Sequence, residues 1–166
     1  MELIELIRER RSIRAYQPQP VEREKIERVL EAARLAPSAC NRQAWEFYVV
    51  EDKKKRAAIK EAADGAAFLG EAPVILVACG LQGVPMPCGQ RTDSVDLSIA
   101  MAFAILEAQE LGLGTCWMGA FNAEGVQRAL GLPEGTVPIM ITPLGYPDKV
   151  PAARPRKALS EVARWM

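Results

Sequence analysis

Arg8, Arg10, Arg11 and Arg14 crowd around Ser12 early in the chain, and Arg154, Arg156 and Lys157 flank Pro155 late in it. A guanidinium presents a planar fork of donors that matches a phosphate, and a serine hydroxyl adds one more. Two such clusters, far apart in one sequence, suggest a single phosphate clamped from two sides. A solvated basic face with no ligand is the ordinary alternative, and charge alone favours it. The 166 residues contain no histidine. That excludes Ser-His-Asp and Cys-His nucleophilic catalysis, histidine-ligated metal and an imidazole general base.

The cysteines, Cys40, Cys79, Cys88 and Cys116, form no C-x-x-C pair, so neither a zinc knuckle nor a dithiol redox site is expected, and no metal site. Cys79 closes the apolar run 74–78 and Cys116 sits in Thr115-Cys116-Trp117-Met118. Both read as small buried apolar side chains. Cys40 and Cys88 fall in loops. Residues 1–5 lack the basic-then-apolar layout of a signal peptide. The longest apolar stretch, 99–106, is far short of the ~20 residues a membrane span needs. The expectation is a cytoplasmic protein with no membrane partner.

Lys+Arg and Asp+Glu both number 21, giving no net charge. A protein that binds nucleic acid by neutralising phosphates shows a basic excess, so no nucleic-acid partner is expected. The zero conceals a segregation. Residues 66–146 carry seven acids against Arg91 and Arg128, whereas the flanking segments are both net positive.

The elements that must position these groups follow from periodicity. Leu3, Ile4, Leu6 and Ile7 predict a first amphipathic helix, and Ile26, Val29, Leu30 and Ala33 a second that stops before Pro37. Residues 45–50 read as a strand, with Trp45 as core, 53–63 as a charged surface helix, and 74–79 as a buried strand. Residues 81–92 form a Pro- and Gly-containing loop. The helix over 93–111 is apolar all round between Ile99 and Leu106. Such a helix must be covered on every side, which implies a subunit interface. Gly112 and Gly114 read as helix-end residues, 115–118 as a short strand, and Asn122 as the cap of a further helix. Pro138 places the strand around Val137, Ile139 and Ile141 at an edge or at its own start. The tail from Pro147 is extended and ends in a short amphipathic piece. No repeat is visible, and helices mixed with strands without regular alternation argue for an α+β fold in one domain, 1–166.

Arg10-Arg11-Ser12-Ile13-Arg14 with Tyr16, and Pro37-Ser38-Ala39-Cys40-Asn41-Arg42-Gln43-Ala44-Trp45, closely resemble the nitroreductase family of FMN-dependent oxidoreductases. Asp96 with the apolar helix, Gly112 to Gly119, Leu144-Gly145-Tyr146-Pro147 and the basic tail fit the same family in the same order. The resemblance implies a nitroreductase-like fold: a mixed, mostly antiparallel sheet flanked by helices, with an extended C-terminal tail crossing to a partner subunit. It also implies a homodimer holding FMN between subunits, with NADH or NADPH as donor. Hydride reaches flavin N5, and electrons pass to a small organic acceptor, a nitroaromatic or quinone for instance, by a ping-pong scheme. A specialised branch such as reductive dehalogenation, or a flavin-binding module without turnover, are the alternatives.

By motif match, Arg10 and Ser12 are phosphate ligands, joined by Arg154 and Arg156, and Arg11 is a further cofactor-binding residue. Arg14 lies near flavin N1 and O2. Pro37, Ser38 and Ala39 match the stretch that covers the flavin from the partner chain, with Asn41 beside it, and the backbone N–H of Gly119 faces N5 with Ala120 next to it. No side chain is catalytic, because the flavin carries the redox chemistry. The residues that hold its pyrimidine edge are not identifiable between Asp64 and Glu71. Residues 81–92, with Met86, Cys88 and Arg91, are the expected acceptor-contacting loop.

Overall fold

The computed structural model describes residues 2–166. Its elements follow in the order α1 (Leu3–Glu9), α2 (Arg23–Arg34), a 3-10 turn (Ala39–Asn41), β1 (Trp45–Val50), α3 (Lys53–Ala62), α4 (Ala67–Glu71), β2 (Val74–Leu81), α5 (Thr92–Glu110), β3 (Gly114–Thr115), α6 (Ala123–Leu130), β4 (Thr136–Gly145) and α7 (Leu159–Val162). The strands form one sheet in the order β1-β2-β4-β3, antiparallel throughout. A parallel bridge from Ser12 to Thr115 extends it beyond β3. The α+β, mostly antiparallel arrangement therefore matches the expectation.

A strand that is apolar at every position has to be buried on both faces. In β2, Val74, Leu76 and Ala78 face one core, shared with α2 and α5, while Ile75, Val77 and Cys79 face another, shared with α3, α4 and α6. Each of the valine, leucine and isoleucine side chains among them contributes about 1.5–3 kcal/mol of burial. Trp45 belongs to the first core, as its place at a strand start implies.

One expectation from local chemistry holds in its second form, and one needs correction. Pro138 lies at the start of its strand, third in β4, and not on an edge strand, because β4 lies between β2 and β3. The ladder shifts register at Ala78/Cys79, so Pro138 sits at an irregularity where the lost N–H matters less. Gly114 does not end α5. A Cβ there would lie 2.7–2.8 Å from three Ile13 atoms, so glycine is required for close approach. Gly112, at φ +74°, follows the helix's last turn as expected. The strand over 115–118 is interrupted because Thr142 Oγ1, not a backbone carbonyl, accepts the Cys116 N–H at 3.1 Å. Pairing resumes where Met118 meets Ile141.

α5 buries Leu97, Ala100, Met101, Ala104, Ile105 and Ala108. The opposite stripe is not covered by this chain: Ile99 and Leu106 are half-buried, Ala102 is exposed, and Phe103 is 42% exposed.

The extended segment carrying Ser12 depends on Ile13, which is buried (3% exposed) against Gly114 and donates its N–H to Thr115 O at 2.8 Å. Gly114→Ala should cost about 1–3 kcal/mol in urea unfolding through this overpacking. A variant as stable as the parent would refute the close-packing role.

Candidate active site

In extended backbone, alternate residues share a face. With Ile13 turned into the core, Arg10, Ser12 and Arg14 turn the other way, toward a cleft. The tail is brought to the same place by a second zipper: Gln17 N–H donates to Tyr146 O at 2.9 Å, Asp148 N–H to Ala15 O at 3.0 Å, and Tyr16 bridges Pro147. Gln17 Nε2 adds a bond to Pro147 O at 2.9 Å. Pro151 to Arg156 then lie along a cleft of about 490 Å³ whose other wall holds Arg8, Arg10, Arg11, Ser12 and Arg14. No carboxylate lines it.

The charges in this cleft feel one another. Partial burial pulls the Arg10 guanidinium below its ordinary value, with repulsion from Arg156 and then Arg11 adding to it. Crowded like charges of this kind are relieved by a bound anion. Arg11 differs from its neighbours, because its Nη1 donates to Arg8 O (2.6 Å) and Arg10 O (3.0 Å) and so braces the α1 terminus.

Gly119 and Ala120 are exposed and follow directly on Met118. Met118 pairs with Ile141, and Phe121 N–H returns to Gly119 O. Neither the Gly119 nor the Ala120 N–H has a protein acceptor among the described residues. Along β4, Ile141 lies about 10 Å from Leu144, the level of Thr115 and Ser12, at ~3.3 Å per residue.

Pro37, Ser38, Ala39 and Asn41 lie elsewhere. Leu81 N–H donates to Ala44 O, so this stretch stands beside the end of β2 that pairs with Thr136. The arginine cleft stands beside the other end, where Val74 pairs with Leu144. The two are separated by about 20 Å along the strands at ~3.3 Å per residue. One chain therefore unites Arg10, Arg11, Ser12, Arg14, Arg154 and Arg156, with Gly119 and Ala120 within reach, but not Pro37 to Asn41.

The distant stretch is held stiffly. Asp96, buried in α5, accepts the Ala39 N–H with both oxygens at 3.1 and 3.2 Å. Ser38 Oγ accepts from Gln43 N–H at 3.0 Å. Cys40, Asn41 and Gln43 all have φ near +50°, a conformation that costs non-glycine residues energy and gathers at functional sites. Sequence reasoning placed Asp96 in the family pattern without its anchoring bond, which no periodicity reveals. The neighbouring loop is anchored similarly. Arg91 pairs with the buried Asp93 carboxylate at 2.9 Å and donates to Gly83 O at 2.9 Å. A Cβ on Gly83 would collide with that carboxylate.

The chain was compared with known proteins. The Nitroreductase family model matches residues 7–67 and 63–146. A Methanothermobacter thermautotrophicus protein described as a candidate NADH dehydrogenase/NAD(P)H nitroreductase is 36% identical over 161 residues, 93% of this chain and 82% of that protein. The FMN reductase [NAD(P)H] of Bacillus subtilis is 32% identical over 93% of this chain and 70% of its own length. A crystal structure of a nitroreductase family protein from Clostridium difficile 630 superposes with a TM-score of 0.89, at 33% identity, covering 99% and 98% of the two chains.

Thiol chemistry around the site separates cleanly. Burial pushes the Cys79 thiol up to about 12, and burial also raises Cys116 against the opposing pull of Arg14, Ser12 and Arg10. Cys40 and Cys88 are exposed. A thiol reagent at neutral pH should label Cys40 and Cys88 in the folded protein, and Cys79 and Cys116 only after denaturation. Because the unfolded Cys79 thiol ionises near its ordinary value of 9.0, the stability it contributes is intact below that pH and declines from about 9 to 12. Native labelling of Cys79 would contradict this placement.

Proposed function

The chain belongs to the nitroreductase family, and on that premise we propose that it is an FMN-dependent NAD(P)H oxidoreductase acting on a small organic acceptor as a homodimer. The observation that carries this reading is the convergence of two sequence-distant arginine clusters on one cleft that holds no acid. A cleft built from arginines and a serine fits a phosphomonoester.

Arg10, Ser12, Arg154 and Arg156 would hold the FMN phosphate, with Arg11 bracing the wall they share. Arg14, exposed and permanently cationic, would stand near N1 and O2. The free N–H groups of Gly119 and Ala120 lie about 10 Å further along the sheet, on the side suited to N5, and glycine leaves no side chain over the ring. FMN supplies the hydride-accepting ring, which is how a chain without histidine can catalyse redox chemistry. Pro37, Ser38, Ala39 and Asn41, stiffened by Asp96, would come from the second copy to cover the site and exclude water.

A second copy is also what the surface calls for. The uncovered stripe of α5, exposed Leu3, Ile4 and Ile7 of α1, and Leu159, Val162 and Trp165 of the tail leave more apolar surface than one chain buries. Trp165 is 93% exposed, which suits a tail that crosses to its partner. Donor and acceptor using one pocket in turn gives ping-pong kinetics. No helix of the described residues is long and apolar enough to cross a membrane.

Anaerobic NADH or NADPH should bleach the FMN-loaded protein near ~450 nm, and a quinone should restore the colour. Arg156→Ala should weaken FMN retention about tenfold or more while leaving the fold intact, one charge-assisted bond being worth roughly 1.5–3 kcal/mol. A protein that keeps FMN yet bleaches with neither donor would contradict the oxidoreductase reading. Unchanged retention in the variant would contradict the clamp.

A further inference from the structure

The arginine cleft holds more positive charge than one flavin phosphate requires. Arg23, Arg28, Arg34, Arg91 and Arg128 each pair with a carboxylate. The six arginines lining the cleft, Arg8, Arg10, Arg11, Arg14, Arg154 and Arg156, pair with none among the described residues. A phosphomonoester brings about −1.5 to −2 charges at neutral pH. Even with Arg14 assigned to the flavin ring, the wall remains over-neutralised. The surplus is concentrated in Arg8, whose side chain is exposed, makes no hydrogen bond among the described residues and is outside the set that matches the flavin phosphate site.

A ligand other than the flavin must therefore be considered, and its reach is constrained. In a nicotinamide nucleotide the ring and the nearest phosphate are joined through a ribose, a span similar to the flavin's own ribityl arm. A donor stacked with its ring near Gly119 and lying parallel to that arm would bring its first phosphate to the level of Ser12, about 10 Å along the sheet at ~3.3 Å per residue. Arg8 lines the same cleft as Ala152 and Ala153 of the tail, and it is exposed to solvent there.

We propose that Arg8 forms a second phosphoryl subsite at the rim of the arginine cleft, taking a phosphate of the nicotinamide dinucleotide donor beside the flavin phosphate. This rests on the oxidoreductase reading above and adds the way the donor is oriented. Arg8 binds and positions the donor and takes no part in hydride transfer. Its other role, as a cation in the last turn of α1 that suits the helix dipole, would affect stability but no donor constant.

The test uses the FMN-loaded protein and Arg8→Gln, with four donors: NADPH, NADH, reduced nicotinamide mononucleotide, and reduced nicotinamide riboside, which lacks phosphate. The expected result is a KM raised about five- to tenfold for phosphate-bearing donors, with kcat, FMN content and the riboside KM unchanged. The effect should shrink at high ionic strength, as screening requires. A rise for the mononucleotide as well assigns the phosphate next to nicotinamide and supports the subsite, whereas a rise for NADPH alone would place Arg8 at the distant 2′-phosphate and overturn it. Equal KM values in parent and variant for every donor, or a riboside KM that rises with the others, overturn it. So does loss of FMN from the variant, which would make Arg8 part of the flavin clamp.

A binding arm separates this inference from the enzyme reading. Inorganic pyrophosphate titrated calorimetrically into the FMN-loaded protein should bind the parent and bind Arg8→Gln about five- to tenfold more weakly. That result without any bleaching by NAD(P)H would sustain the subsite and sink the oxidoreductase reading. Bleaching with equal pyrophosphate binding in both proteins would do the reverse.

Discussion

The antiparallel register between β2 and β4 sets the geometry on which everything else depends. Val74 pairs with Leu144 at one end and Leu81 with Thr136 at the other. The first end continues through Thr115 to Ser12 and the arginine cleft, and the second through Ala44 to the stiff stretch at Pro37–Asn41. Both strands are locked by side chains buried on two faces, so a slip of one residue would exchange the two cores. The separation of the two half-sites is thus a consequence of core packing. In the proposed homodimer, a composite site completed by a second copy that also covers α5 would accommodate that separation and the exposed apolar surface together.

Electrostatics gives the cleft its character in the same indirect way. The arginines converge because Ile13 needs the pocket over Gly114 and because residues 15–17 zip to residues 146–148. Partial burial, and then repulsion from Arg156 and Arg11, hold Arg10 below its ordinary value. Repulsion maintained by a well-packed scaffold is stored preference for an anion, available on binding without rearrangement. Asp96 anchors the other end, where its carboxylate holds the Ala39 N–H just ahead of the left-handed Cys40 and Asn41.

Much of this was legible in the sequence. Periodicity located the helices and the doubly buried strand, and residue type found the Asn122 cap, whose Oδ1 accepts the Gly125 N–H at 2.7 Å. Buried Cys79 and Cys116 followed from their apolar surroundings. Long-range relations were not legible. Pro138 left both an edge and a strand start open because a register shift in the ladder leaves no local trace, and Gly114 looked like a helix end because Ile13 is distant in sequence. The arginine clusters could be found by type, but only the Tyr16–Pro147 zipper shows that they share one cleft. The anchoring of Ala39 by Asp96 joins residues from separate elements and has no local signature.

In the proposed homodimer each flavin site takes its arginine cleft from one chain and its Pro37–Asn41 cover from the other. Mixing two variants tests it most directly: Arg156→Ala, defective in the cleft, and Asp96→Ala, defective in the cover. Each alone should bind FMN poorly. After subunit exchange, half of the dimers are mixed and each mixed dimer holds one intact site, so FMN binding and NAD(P)H-dependent bleaching should recover to about a quarter of the parent's. Mixed dimers that form and yet recover nothing would place both halves of the site in one chain and contradict the account.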